Sequence, residues 1–168
     1  MSEVSVLTSD FRYLFSDLRP QASDLREKLI MGWNKMKISS AKDLEVYRMG
    51  YGLAMQVFEL SRRFPAEERF VLTSQIRRSS RSVCLNLREA WAKRRYEAHF
   101  VSKLTDCDGE NGETDSSLDF AKDCGYITSV QHEELTEQCR EIGRKLGAML
   151  KNPTPFLIRD HGEPTSEI

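Results

Sequence analysis

Residues 64–95 read FPAEERFVLTSQIRRSSRSVCLNLREAWAKRR, and this stretch decides the fold. Its apolar residues recur at spacings of three and four, which is typical of a helix with one inward face. The seam consists of Leu72, Ile76, Val83, Leu87 and Ala90. Acidic residues fall in the first turn and basic residues in the last, and both placements favour the helix dipole. The pattern predicts a helix from Ala66 to Lys93, with Pro65 at its start.

A second helix is predicted before this one, from Lys42 to Arg63. Its predicted inner stripe is Leu44, Tyr47, Tyr51, Ala54 and Phe58. Ser39 or Ser40 can cap it, because a serine side chain accepts a hydrogen bond from the first free backbone amides.

A further helix is predicted at the other end of the chain, from Ser129 to Lys151. Thr128 and Gln131 have the spacing of a capping box. The stripe is formed by Leu135, Cys139, Ile142, Leu146 and Met149. Asn152 and Pro153 end the helix, since proline cannot continue it.

The segment between these helices, 96–124, gives a mixed signal. It begins and ends with apolar residues at helical spacing, but residues 106–117 read DCDGENGETDSS. Two glycines, an asparagine and many acids predict a loop by local propensity alone.

Length and composition limit the class of protein. The 168 residues make one domain with an extra arm, and the net charge of −1 gives no overall attraction to nucleic acid or membranes. No apolar run approaches the roughly 20 residues that span a bilayer. The first residues lack the pattern of a secretory signal, so we expect a cytoplasmic protein whose four cysteines are reduced.

The expected organisation has three parts. Residues 1–40 form an N-terminal extension with one or two short helices, residues 41–152 form the bundle, and residues 153–168 form a flexible tail. The extension is an added arm or lies upstream of the natural start at Met36; the sequence leaves both open.

Several motifs together resemble one known family. They are KDLEVYRMG at 42–50, FPAEERFVLTSQIRRSSRSV at 64–83, Asn86, Glu89, Arg94 with Arg95, and LDFAKDCGYI at 118–127. This pattern resembles the 23S rRNA-intervening-sequence proteins, also called four helix bundle proteins. The resemblance covers about two thirds of the chain.

The resemblance implies an all-α, antiparallel up-down four-helix bundle, here with an additional N-terminal helical arm. It implies assembly into a ring, typically a pentamer, and no enzymatic activity. It also implies a continuous third helix, so residues 106–117 are predicted to be helical although Gly109 and Gly112 each cost about 1 kcal/mol relative to alanine. A related group serves retroelement reverse transcriptases as a nucleic-acid-binding accessory protein.

The chain departs from the family pattern at one corner of the second helix. Cys84 stands where many members have proline, so this helix is expected to be straighter. Leu87, Arg88 and Ala90 replace the usual small residues, so the packing there is expected to differ.

The second helix carries the candidate nucleic-acid-binding residues. They are Arg77, Arg78, Arg81, Arg88, Lys93, Arg94 and Arg95. Residues 77, 81 and 88 are predicted to share a face that could follow a phosphate backbone. The alternative is a solvated face that pairs with acidic neighbours, which the nearly neutral net charge favours.

The third segment carries a candidate acidic cluster for assembly or partner contact. It consists of Asp106, Asp108, Glu110, Glu113, Asp115 and Asp119, with Asp123 beyond. A calcium loop is disfavoured because Asn111 and Ser117 stand where glycine and a bidentate acid are needed. We expect this cluster to pair with the arginines, within the bundle or across an interface between copies, and so to organise assembly.

These patterns predict neither a catalytic residue nor a cofactor nor a metal. His99 with Cys107, and His132 with Cys139, could each share a helix face, but helical spacing alone produces such pairs. We therefore expect a non-enzymatic, self-assembling binding or scaffold module. The alternative is an accessory factor that binds ribosomal RNA, or nucleic acid together with a reverse transcriptase.

Overall fold

The computed structural model of this chain describes residues 38–158. The chain divides into two units between Lys37 and Ile38. The predictions for residues 1–37, including the N-terminal helical arm, and for residues 159–168 lie outside the described residues.

The described part is helical throughout, which confirms the predicted all-α helical bundle. Its four helices are α1 (Glu45–Ser61), α2 (Leu72–Lys93), α3 (Glu97–Asp123) and α4 (Ser129–Lys151). Short 3₁₀ turns are at Ala41–Asp43, Ala66–Phe70 and Thr154–Phe156. None of the described helices is long and apolar enough to cross a membrane.

Contacts between neighbouring helices show the direction of each. In the first half of α2, Arg78 contacts Glu113, and further along the helix Asn86 contacts Lys103. The residue numbers on α3 therefore fall as those on α2 rise. The same opposite order holds for α1 with α2, where Ser61 contacts Arg77 and Tyr47 contacts Cys84. It holds for α3 with α4, where Asn111 contacts Cys139 and Asp119 contacts His132. It also holds for α4 with α1, where Gln138 contacts Gln56 and Lys145 contacts Glu45. Each helix is therefore antiparallel to its neighbours.

The core lies between the four helices and consists mainly of aliphatic side chains. Its large, fully buried members include Leu53, Ile76, Leu87, Phe100, Leu104, Leu118, Ile142 and Leu146. The predicted seams of α2 and α4 are buried as expected. Because removal of apolar surface from water is the main favourable term in folding, these seams hold the helices together.

The predicted inner stripe of α1 was partly wrong. Tyr51 is 57 % exposed and Phe58 is only half-buried. Leu44 and Ala54 of the predicted stripe are buried, and the rest of the buried face of α1 is Val46, Gly50, Leu53, Val57 and Ser61. The two aromatic rings lie at the edge of the helix, and Phe58 packs under the guanidinium groups of α2, where a ring can remain partly exposed.

The start of α2 differs from the predicted helix beginning at Ala66. A 3₁₀ turn is followed by an irregular backbone at Val71, and the α-helix begins at Leu72. The Glu68 carboxylate accepts a hydrogen bond from the Leu72 backbone amide (3.2 Å) and another from the Tyr126 hydroxyl (3.0 Å). That second bond, followed by burial and the charge of Glu68, raises the pKa of Tyr126 to about 12. A carboxylate at this position satisfies a free amide and complements the helix dipole.

α3 is continuous through residues 106–117, as the resemblance implied and the local composition did not. Its buried side follows a strict alternation of four and three residues: Phe100, Leu104, Cys107, Asn111, Thr114, Leu118 and Ala121. The inward positions in the middle are small or polar, which hides the helical pattern from a count of apolar residues. Packing against α2 and α4 therefore outweighs the low helix propensity of Gly109 and Gly112.

Well-defined caps separate α3 from α4. Gly125 has a φ of 75°, and the amide of Tyr126 reaches back to the Ala121 carbonyl (2.8 Å), which is the arrangement of a Schellman motif. α4 then begins with the predicted capping box of Thr128 and Gln131.

The chain beyond α4 stays on the bundle as far as the structure describes it. Pro153 is buried, the Phe156 ring stacks on Phe100 at 6.1 Å, and the Ile158 amide donates to the Arg94 carbonyl (3.2 Å). At the start of the tail that was predicted to be flexible, Pro153 is thus buried and Phe156 and Leu157 pack against the core.

Candidate assembly and nucleic-acid surfaces

The arginines in the first half of α2 line a shallow groove on the outer side of the helix. We call it the basic groove; it has a volume of about 560 Å³ and is lined by Arg69, Phe70, Thr73, Ser74, Arg77, Arg78, Arg81, Ser82 and Leu85. Four arginines and three hydroxyl side chains line it, and no carboxylate does. The groove is therefore suited to an anionic ligand.

Local contacts hold two of these arginines in place. The Arg77 Nε donates to Ser61 Oγ (2.7 Å), and its guanidinium lies 5.0 Å from the centre of the Phe58 ring. Arg81 lies over the same ring at 5.6 Å. Neither side chain has a carboxylate partner within residues 38–158.

Arg78 joins the basic groove to α3. Its guanidinium contacts Glu113 Oε1 at 3.2 Å, and the Gln75 amide donates to the same oxygen. Among the described residues, this is the one ion pair between the candidate arginines and the candidate acids.

The remaining candidate cations lie towards the other end of α2 and make local contacts. Arg88 donates to Ser40 Oγ (3.3 Å), Lys93 lies 3.9 Å from Glu89, and Arg94 covers the Trp91 ring at 4.1 Å. Arg95 is exposed. These four residues do not line the basic groove, although Arg88 lies seven residues after Arg81 and therefore on the same face of α2.

Sequence reasoning missed Arg69, which lines the groove although it precedes the helix. It is eight residues before Arg77, a spacing of about two turns that could have indicated a shared side.

An exposed apolar surface adjoins the basic groove. We call Phe70, Val71 and Phe120 the apolar corner; they are 84 %, 66 % and 65 % exposed. They line a second depression of about 580 Å³, with Gln75, Glu113, Ser116 and Cys124 among its polar neighbours. No sequence pattern indicated this corner, because its exposure follows from the break at Val71 and the end of α3.

The candidate acidic cluster divides between two sides of α3. Asp106, Glu110 and Glu113 are on the side of α2, around a shallow depression that Asn86 also lines. Asp106 contacts Lys103 at 3.0 Å, and Lys103 also contacts Glu89 of α2 at 2.9 Å. This half of the cluster helps to join α3 to α2.

The other half faces α4. We call Asp108, Asn111, Asp115 and Asp119 the α3 stripe, since spacings of three and four place them in one row. A β-carbon added to Gly143 of α4 would lie 3.8 Å from Asp108 Oδ1, and Asp119 contacts His132 at 2.6 Å. Burial raises the pKa of Asp115, and the charge of Asp119 raises it further.

Two buried oxygens of this stripe lack a hydrogen-bond donor within residues 38–158. They are Oδ1 of Asn111 and Oδ1 of Asp115. Asn111 is only 6 % exposed and uses its amide nitrogen to bond the Cys139 carbonyl (2.9 Å). Buried acceptors without donors are uncommon, and Glu110 Oε2 is a third such oxygen on α3 within the described residues.

The cysteines are free thiols, and three of them are buried in the core. Burial raises the pKa of Cys84 to about 11 and of Cys107 and Cys139 to about 12. Such thiols remain protonated at neutral pH and are weak nucleophiles and metal ligands. Within the described part of the chain no group of three or more metal-binding side chains is present.

Comparison with known proteins places the chain in a family. The family described as 23S rRNA-intervening sequence protein matches residues 42–148. The chain belongs to this family. The match includes all of α1, α2 and α3 and all but the last three residues of α4.

A solved structure supports the same assignment. The chain is similar to a protein of unknown function from the S23 ribosomal protein family of Bacteroides thetaiotaomicron VPI-5482, with 30 % identity and a TM-score of 0.58. The similarity covers 64 % of this chain and 96 % of that one. No curated protein matches the sequence.

The departures from the family pattern of 23S rRNA-intervening sequence proteins can now be located. α2 runs without interruption through Cys84, whose thiol faces the Tyr47 carbonyl at 3.5 Å. Ala90 is buried and Trp91 packs against the core, whereas Arg88 is exposed. These positions lie outside the basic groove and the apolar corner.

Proposed function

We propose that this 23S rRNA-intervening sequence protein assembles with copies of itself and acts as a non-enzymatic binding or scaffold module. The observation that carries the proposal is the apolar corner. Phe70 is 84 % exposed, and Val71 and Phe120 are each about two thirds exposed beside it. Two aromatic rings and a valine gathered at one depression are typical of a surface that is covered in the assembled protein.

Covering this corner would remove apolar surface from water and so favour association. An aromatic side chain buries about 150–250 Å² when it is enclosed, and each Å² of apolar surface contributes about 25 cal/mol. Gln75, Glu113 and Ser116 lie around the apolar residues and supply a polar rim. A ring of copies, five by the resemblance, is the expected form.

Size-exclusion chromatography coupled to light scattering tests this proposal. The unmodified chain should elute as an oligomer, and the double variant Phe70→Ser, Phe120→Ser should be a monomer with a little-changed melting temperature. Val130→Ser is the matched control, because Val130 of α4 is as exposed as Phe120 but does not line the depression at the corner. A monomeric wild-type chain would contradict the proposal.

A second function is favoured by the basic groove. Four arginines beside serine and threonine hydroxyls offer donors to phosphate oxygens, and of the four only Arg78 has a carboxylate partner within residues 38–158. The protein would then bind ribosomal RNA, or nucleic acid together with a reverse transcriptase, as an accessory factor.

Binding of RNA and duplex DNA across a range of salt concentrations tests this second function. Each phosphate neutralised adds a slope of about 0.7–0.9 to the fall of log K with log salt, so four arginines give a slope near 3. Arg69→Glu with Arg81→Glu should abolish binding, whereas Arg88→Glu, which is outside the groove, should change it little. Equal losses in both variants would contradict a role for the groove.

A further inference from the structure

The two charged surfaces described above are on different sides of the bundle, and each is incompletely paired within residues 38–158. Arg69, Arg77 and Arg81 of the basic groove have no carboxylate partner among the described residues. On the α3 stripe, Asp119 contacts the His132 ring, and neither Asp108 nor Asp115 contacts a lysine or an arginine within residues 38–158.

The α3 stripe is also short of hydrogen-bond donors. Asn111 is more than nine-tenths buried, and its Oδ1 has no donor within the described residues, nor has the neighbouring Oδ1 of Asp115. The exposed carboxylates of Asp108 and Asp119, at the two ends of this row, can accept hydrogen bonds from long, charged donors outside the bundle, and a guanidinium group has five donor hydrogens.

The basic groove supplies donors of this kind in a matching arrangement. Arg69, Arg77 and Arg81 extend over about three turns of the chain, and Asp108, Asp115 and Asp119 also extend over three turns of α3. One surface carries no carboxylate, and the other carries acids and an amide. Two rows of opposite charge and equal length can determine which surfaces meet at an interface and in which register.

We infer that the α3 stripe of one copy receives the basic groove of the next copy, so that the assembly is built from unlike faces. This inference rests on the proposed self-assembly and adds the partner face to it. The apolar corner adjoins the basic groove, and Phe70 lines both. The corner therefore supplies the apolar part of the same interface, and the arginines determine which face of the neighbour it meets. Contacts between unlike faces propagate head to tail and close into a ring when the rotation permits.

Charge reversal on each face, followed by mixing, tests this inference. The groove variant is Arg69→Glu with Arg81→Glu, and the stripe variant is Asp108→Arg with Asp119→Arg. All four side chains are exposed, so each variant should retain the melting temperature of a folded bundle. Arg62→Glu with Arg63→Glu is the control, because it changes the charge as the groove variant does but alters neither face.

Light scattering should show a monomer for the groove variant alone and for the stripe variant alone. An equimolar mixture should recover the oligomer, because the acidic groove of one variant then meets the basic stripe of the other. The control should remain assembled.

The outcomes separate the inference from the proposal on which it rests. A monomeric wild-type chain would remove the proposed self-assembly itself. An assembled wild-type chain whose stripe variant also assembles normally would leave self-assembly intact and overturn the pairing of unlike faces. Failure of the mixture to assemble would overturn the pairing as well.

Discussion

Arg78 and Glu113 form the ion pair that links the basic groove of α2 to the acidic side of α3, with 3.2 Å between Nη2 and Oε1. Glu113 also accepts the Gln75 amide, so one carboxylate serves two residues of α2. The candidate arginines of α2 and the candidate acids of α3 were expected to pair, and among the described residues this is the one ion pair that they form.

This pair should contribute little to the stability of the single chain. Arg78 is 61 % exposed and Glu113 is 33 % exposed, and ion pairs of this kind are worth about 0.2–1 kcal/mol. A double-mutant cycle with Arg78→Ala and Glu113→Ala, followed by urea denaturation, should give a coupling energy in that range. A coupling energy above about 2 kcal/mol would show that the pair is removed from water, whereas in the single chain both side chains remain partly exposed.

Alanine substitution should stabilise the protein at the two glycines of α3 and destabilise it at Gly125. Gly109 and Gly112 are exposed, and a β-carbon added at either would meet nothing within 4 Å. Alanine at each should raise the free energy of unfolding by about 0.5–1 kcal/mol, because it reduces the freedom of the unfolded chain. Gly125→Ala should lower it, since a φ of 75° strains any side chain. Thermal unfolding of the three variants checks both directions.

The ends of α4 could be predicted from the sequence because the signals are local. Thr128 and Gln131 cap the helix by themselves, and Asn152 and Pro153 end it. The start of α2 could not, because Glu68 caps Leu72 while it is held by Tyr126, which is 58 residues away. A helix end that depends on a distant partner leaves no local pattern.

The surfaces were predicted less well than the helices. The arginines were found as a cluster, but Arg69 was missed because it lies in the 3₁₀ turn before α2, and Arg88 does not line the groove. The apolar corner needed the structure, because Phe70 and Phe120 come from elements 50 residues apart and neither interrupts an apolar seam. Tyr51 was counted as core because an aromatic ring at an edge position has the same spacing as one inside.

Alanine substitution of a buried leucine and of an exposed leucine should have different effects on stability. Leu104 is fully buried on α3, whereas Leu85 of the basic groove is 62 % exposed. Leu104→Ala should lower the free energy of unfolding by about 2–5 kcal/mol, because it removes apolar burial and leaves a cavity. Leu85→Ala should change it by less than about 0.5 kcal/mol. Urea denaturation of both variants measures the difference, and similar losses would show that Leu85 is buried in solution.

Asp115 should make the stability of the bundle depend on pH. Its pKa is raised from the ordinary value of 3.8, first by burial and then by the charge of Asp119, while Arg140 and His132 act in the opposite direction. The folded state therefore binds a proton on this carboxyl more tightly than the unfolded chain does, so the ionised form destabilises the fold at neutral pH. As pH falls through the raised pKa, protonation removes that cost.

Asp115→Asn replaces the carboxylate with a neutral side chain of the same shape, so it should be more stable than the unmodified chain at pH 7. The difference should shrink as pH falls and disappear below the ordinary value of 3.8, where the carboxyl is protonated in both states. Thermal unfolding from pH 3 to pH 8 measures it, with Phe70→Ser and Phe120→Ser present in both proteins so that assembly does not contribute. A less stable variant at pH 7 would show that Arg140 and His132 outweigh the cost of burial.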